Sequence, residues 1–192
     1  MTQFDFSGAK PDLFQLDIKG ERIRLVSIAE RFARDIFTEF SSDVTTYMLP
    51  KPAASIEETK AFIRSSLEAF GEADNLQLVI LNGATGEFLG CCGLHGRDDV
   101  ENPELGIWLK KSAHGKALGR EAVYTLVYWA NENMRLESFV YPVDKRNQPS
   151  RNIPISLGGQ IVEERIAEGM AGNVLGEVVY KIALPLTTFQ RT

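Results

Sequence analysis

The spacing of apolar residues changes period along the chain, and each change predicts an element. Ile23 and Leu25 alternate with Arg22 and Arg24, the pattern of a strand with one buried face. From about Ala29 to Phe40, Phe32, Ile36, Phe37 and Phe40 recur at helical spacing. Ser55 followed by Glu58 reads as a capping box that opens a second helix to about Phe70, with Ala61, Phe62, Leu67 and Phe70 on its apolar side. Between these helices, Asp43 to Pro52, with Tyr47, Met48 and Leu49, reads as a connecting loop folded onto the core. From Leu76 the helical period ends. Leu76 to Leu81 and Glu87 to Leu94 flank a turn rich in Asn and Gly, which predicts an antiparallel hairpin. A polar loop carrying Arg97, Asp98, Asp99 and Glu101 leads into a strand over Glu104 to Leu109. The next helix, Leu118 to Met134, gathers Ala122, Leu126, Trp129 and Ala130 on one side, so Trp129 reads as core. Ser138 to Tyr141 is the following strand, and Asn147 with Pro149 suits a helix start. Two strands, about Gly159 to Ile166 and Leu175 to Leu184, close the chain as a hairpin. Residues 1–19 are mixed in pattern and read as an N-terminal extension, while 20–188 read as one α+β domain around a mixed, mostly antiparallel sheet.

Composition narrows the function classes. A chain of 192 residues with 44% hydrophobic content can bury a substantial core as one domain. Its net charge of -5 argues against a nucleic-acid partner, which needs a basic face to displace counterions. No apolar run approaches the roughly 20 residues of a membrane span, and the start of the chain, with Asp5 and Asp12, lacks the blocks of a signal peptide. The expectation is a cytoplasmic protein that does not enter a membrane. The two cysteines, Cys91 and Cys92, are adjacent, so on a strand they face opposite ways and cannot bridge without strain. They read as reduced core residues, with a catalytic thiol as the alternative. His95 and His114 have no zinc-ligand spacing with them, and no metal is expected.

The densest chemistry lies in His114-Gly115-Lys116-Ala117-Leu118-Gly119-Arg120. Small residues at 115, 117 and 119 let an anion approach the main chain, and the helix that starts there presents unpaired N–H groups and a partial positive charge. Such a segment suits a pyrophosphate. The same residues also serve as ordinary turn chemistry before a helix.

The order of neighbours around that loop carries a resemblance. Glu104-Leu105-Gly106-Ile107-Trp108-Leu109 precedes it, Gly115 to Ala122 form it, Trp129-Ala130 lies late in the helix, and Asn147, Ser150, Leu157 and Gly158 follow. This stretch resembles the acyl-CoA-binding region of the GCN5-related N-acetyltransferases (GNAT), and within them the RimJ/RimL-like branch. The resemblance implies the GNAT fold, with a splayed central sheet flanked by helices, and transfer of an acetyl group from acetyl-CoA to a primary amine, such as a peptide N-terminus. It implies that Ile107, Trp108 and Leu109 present backbone groups to pantetheine, with an N–H near Trp108 facing the oxyanion. The pyrophosphate would then lie on His114, Gly115, Lys116, Ala117, Leu118, Gly119 and Arg120, with charge from Lys116 or Arg120. Asn147 would hold the pantetheine end, Glu104 would act as base, and Ser150 would donate to the departing sulfur. A homodimer is compatible with the family.

Three positions depart from the family pattern. Ser112 stands where a Gln or Arg is usual, Pro154 where many relatives carry a Tyr acid, and Gly159 where a Phe anchors the helix end. Pro154 would also remove a helical hydrogen bond. Two other functions fit these residues: acetylation of a small amine such as a polyamine, amino acid or aminoglycoside, and a regulatory module that binds acyl-CoA without transfer. Acceptor choice is expected to fall on the loops around Tyr47 and Arg97, with His95 a further candidate to touch the acceptor or assist proton removal.

Overall fold

The computed structural model describes residues 3–96 and 99–186. Arg97 and Asp98, and the end of the expected domain at 187–188, lie outside the described residues. The elements run β1 (Asp17–Lys19), β2 (Ile23–Ser27), α1 (Ala33–Glu39), α2 (Ile56–Glu72), β3 (Asn75–Asn82), β4 (Phe88–His95), β5 (Glu104–Leu109), α3 (Leu118–Asn133), β6 (Ser138–Asp144), α4 (Gln148–Ser156), β7 (Gln160–Glu168) and β8 (Val174–Ala183). Their strands form one eight-stranded sheet in the order β1-β2-β3-β4-β5-β6-β8-β7.

Neighbouring strands are antiparallel except β5 and β6, which are parallel and in register at the single pair Glu104 and Val140. Beyond that pair the two strands part. This is the splay the resemblance implies, and it opens the middle of the sheet. Alternation along β5 fixes what meets each face. Trp108 packs on Phe40 after α1, with ring centroids 4.8 Å apart, while the side chains of Ile107 and Leu109 lie next to Gly119 of α3. Helices α1 and α2 therefore cover one face and α3 and α4 the other. With both faces covered, β3 and β4 are buried almost throughout rather than alternately. Burial of a large core side chain such as Phe70, Phe139 or Leu76 contributes about 1.5–3 kcal/mol each.

Local signals in the sequence account for the helix starts. Ser55 accepts from Glu58 N–H at 3.3 Å, and the Glu58 carboxylate reaches back to Ala54 N–H at 2.8 Å, one residue earlier than the usual reciprocal bond. The predicted first helix begins as a short 3-10 turn over Glu30–Phe32 before α1 proper. Residues 3–19, expected to lie outside the domain, are packed into it. Phe4, Leu13 and Leu16 are buried, and β1 pairs with β2. The residue pattern there is irregular because only three of these residues form a strand.

Candidate active site

The splay between β5 and β6 leads into a cleft of 480 Å³ that runs from Ile107, Trp108 and Leu109 past Gly115 to Arg120 and on to Asn147 and Ser150. Backbone direction on β5 can be read from its ends. Lys110 N–H donates to Leu89 O beside β4, and Pro103 O accepts from Val140 N–H on β6. Because these groups alternate along a strand, the N–H and C=O of Ile107 and Leu109 point into the cleft. The N–H of Trp108 points to β4, opposite Cys91. Of the N–H groups at 107 to 109, those of Ile107 and Leu109 therefore face the cleft, and that of Trp108 does not.

The loop after β5 is built to leave main-chain N–H groups exposed. Gly115 has φ +74 and Ala117 has φ 58, left-handed values that turn the chain sharply into α3. Ala117 is the N-cap and has no side-chain oxygen, so the first N–H groups of α3 have neither an intrahelical partner nor a cap. Arg22 anchors the outside of this turn, its side chain bonding the Glu121 carboxylate at 2.7 Å and Lys116 O at 3.2 Å. Arg120 lines the cleft. Lys116 does not, because its ammonium donates to Ser112 O at 2.9 Å; of the two cations, only Arg120 is placed to meet an anion. His114 lines the cleft and donates through Nε2 to Leu109 O at 2.9 Å, which occupies that carbonyl.

Across the cleft, Asn147 is the N-cap of α4, and its Oδ1 accepts from Ser150 N–H at 3.3 Å. With that oxygen used in capping, its amide NH₂ is the group left to donate. Ser150 Oγ lies 2.8 Å from the hydroxyl of Tyr141 on β6. Tyr141 is fully buried, and burial pushes its phenol up to about 12, so it stays neutral at ordinary pH. Nothing in the sequence pattern marks Tyr141 as more than a core aromatic.

A second cavity, of 410 Å³, lies on the α1 and α2 side and shares Met48, Ile107 and Trp108 with the first. His95, at the end of β4, lines it. Its Nδ1 is 2.6 Å from Asn75 Oδ1, the residue opposite it on β3. An amide oxygen can only accept, so Nδ1 carries the proton and the lone pair of the neutral ring is on Nε2. The ring lies over Gly106, where a Cβ atom would come within 2.7 Å of Nε2. Glu104, the expected base, stands at the start of β5 opposite His95 and lines neither cavity. Its charge contributes to holding the guanidinium of Arg165 above the usual value, after the larger effect of Glu177.

An acetyltransferase (GNAT) domain family model matches residues 22–160. The chain belongs to the GNAT acetyltransferases. The fold is also that of solved members. A GNAT acetyltransferase from Bacillus anthracis superposes with a TM-score of 0.74 at 18% identity, covering 88% of this chain and 98% of the other. RimL, a ribosomal alpha-N-protein acetyltransferase in complex with coenzyme A, gives 0.79 at 15%, with 88% and 98% covered. The microcin self-immunity acetyltransferase MccE, in complex with acetyl-CoA and AMP, gives 0.75 at 19%, with 85% and 93% covered. No curated protein matches in sequence.

Within this GNAT enzyme two of the departures from the family pattern, Pro154 and Gly159, have local explanations. Pro154 lies inside α4, which ends two residues later at Ser156. Gly159 N–H donates to Pro154 O at 2.8 Å, and a Cβ at Gly159 would lie 2.8 Å from that same oxygen and 3.2 Å from Ile182. The helix end is thus anchored by backbone, where a side chain has no room. Cys91 and Cys92 form part of the second cavity's floor, and burial pushes both thiols up, so they are unreactive core residues. Among the described residues, no group of three His, Cys, Asp or Glu could hold a metal ion, and no helix is long and apolar enough to cross a membrane.

Proposed function

We propose that this GNAT enzyme transfers an acetyl group from acetyl-CoA to a primary amine, with a peptide N-terminus, as in the RimJ/RimL-like branch, as the leading acceptor. One observation carries the reading: two cavities, one on each side of β5, share Met48, Ile107 and Trp108. A thioester held in the first and an amine held in the second would meet at that shared wall. The first suits a long donor with a diphosphate, because it joins an uncapped helix start to a strand edge where the Ile107 N–H and C=O and the Leu109 N–H face the cleft.

The residues divide the work as follows. Ile107 and Leu109 bind pantetheine amides through the main chain, and one of their N–H groups faces the carbonyl oxygen as charge develops. Amides of Gly115 to Arg120 hold the diphosphate, and the Arg120 guanidinium adds charge. His95 takes the proton from the attacking nitrogen at Nε2, with Asn75 fixing the tautomer; its place in the second cavity favours it over Glu104. Ser150 donates a hydrogen bond to the departing sulfur, oriented by Tyr141. One N–H and one C–S bond break, one C–N bond forms, and the proton lost by nitrogen ends on sulfur through solvent.

The test is release of coenzyme A thiol on mixing the protein with acetyl-CoA and amines, with the acetylated product identified by mass. Acceptor-dependent release that falls about 10–1,000-fold in Ser150→Ala supports the reading. Tight acetyl-CoA binding without release for any peptide or amine would defeat it.

A further inference from the structure

The second cavity also specifies what carries the amine, an inference that rests on the acetyl-transfer reading. Phe37, Phe40, Phe62, Trp108, Met48 and Met170 give its wall six large apolar side chains, drawn from α1 and the residue after it, the loop before α2, α2, β5 and the β7–β8 hairpin. Three of these, Phe37, Phe62 and Met170, are 39%, 45% and 68% exposed, a cost in apolar hydration that an apolar occupant would relieve. The hairpin tip is tied to the loop by backbone, with Met170 N–H donating to Leu49 O at 2.7 Å. Met170 is therefore held at the mouth by more than its side chain.

Charge points the same way. Polyamines and aminoglycosides carry several ammonium groups, each needing a carboxylate or a comparable acceptor when it leaves water. Among the described residues Glu58 is the one carboxylate lining the cavity, and it already accepts from Ala54 N–H at 2.8 Å. Lys51 lines it as well and repels a polycation. Gln77 donates to Cys92 O, and Thr59 is buried within α2.

We propose that the acceptor is a primary amine borne on a large apolar body, aliphatic or aromatic, which fills this cavity and places its nitrogen between His95 and the wall shared with the donor. Two sources offer that chemistry: a peptide whose first residue has a large apolar side chain, and a free arylalkylamine.

The experiment compares peptides beginning with Phe, Leu or Met with otherwise identical peptides beginning with Ser, Gly or Asp, alongside phenethylamine, tryptamine, spermidine and kanamycin. Turnover is read by thiol release. Binding of each amine to the protein saturated with coenzyme A is read separately by calorimetry, so the cavity is tested even if transfer fails. The expected result is kcat/KM for the apolar amines about 10–200-fold above that for their polar counterparts. Phe62→Ser should weaken binding of the apolar amine about tenfold and leave acetyl-CoA binding unchanged. Turnover of peptides alone, or of the free amines as well, identifies the source, and both outcomes support the proposal. Apolar binding without turnover supports the cavity assignment and refutes acetyl transfer. Spermidine or kanamycin binding as tightly as phenethylamine, or indifference of apolar binding to Phe62→Ser, overturns it.

Discussion

Gly106→Ala is the sharpest probe of the proposed base. The backbone at Gly106 has no left-handed φ, so alanine meets no conformational penalty there. What it meets is His95. The added Cβ would lie 2.7 Å from Nε2 and 3.3 Å from Cδ2, whereas non-bonded carbon contacts settle near 3.5–4.0 Å. The ring must retreat by about 1 Å, and because it is the free end of a side chain it can do so without moving the sheet. A displacement of that size at a reacting group costs on the order of 100-fold in rate. Complete loss of a general base costs about 10²–10⁴-fold, which sets the ceiling reached by His95→Gln. Steady-state thiol release for the two single variants and the double variant, with acetyl-CoA affinity by calorimetry, gives the decision. We expect kcat to fall about 100-fold in Gly106→Ala with acetyl-CoA affinity within about twofold, and the double variant to be no slower than His95→Gln alone. Wild-type kcat in Gly106→Ala, or two losses that multiply, would refute the assignment.

Other expectations follow from the same geometry. Gly119→Glu places a carboxylate at the wall of the donor cleft near the diphosphate, where space for its first carbon is ordinary, so the KM for acetyl-CoA should rise about 10–100-fold while melting temperature is unchanged. Tyr141→Phe and Ser150→Ala should each lower kcat, and the double variant should match Ser150→Ala; since the phenol sits at about 12, no limb of the wild-type pH profile below about pH 10 should vanish with Tyr141. Asp144→Asn removes a carboxylate that accepts from Arg146 N, Nε and Nη2 at 2.9, 2.8 and 2.7 Å, which should cost about 1–3 kcal/mol and lower the melting temperature by about 2–10 °C. The Arg146 guanidinium, bonded to its oxygens, holds the Asp144 carboxyl below its ordinary range. Its contribution is therefore complete above the ordinary carboxylate range and is lost as pH falls through the lowered value, so Asp144→Asn should also flatten the acid limb of denaturation.

Features written in short stretches of chain were legible in the sequence. The loop from Gly115 to Arg120, the N-cap Asn147 and the capping box at Ser55 each depend on residues within one turn of one another, and the structure has them where the pattern implies. The packing of residues 3–19 was not legible because Phe4, Leu13 and Leu16 reach the core from irregular backbone, which carries no period. The pairing of Asn75 with His95 was hidden for a different reason. Leu81 pairs with Phe88, and continuing that register would set Asn75 opposite Leu94. An irregularity between Ile80 and Leu81 shifts the pairing by one residue and sets Asn75 opposite His95. A glycine at 106 opposite a strand carrying a histidine was the one available hint, and its meaning required the register.

That shift also bears on why the proposed base is His95 rather than Glu104. Both stand at the same level of the sheet, paired across β4 and β5, so a reading that places strands without their side chains cannot separate them. The distinction comes from the bare backbone at Gly106, which lets the imidazole lie along β5 toward the wall shared by the two cavities. Tyr141 follows the same logic on the other side of the splay. The family pattern looks for an acid within α4, where Pro154 stands, but β6 runs beneath that helix and supplies a hydroxyl from below to Ser150. In both places the proposed reacting group is set by a strand neighbour distant in sequence, so activity should respond to Asn75 and Tyr141 as much as to the more recognisable loop.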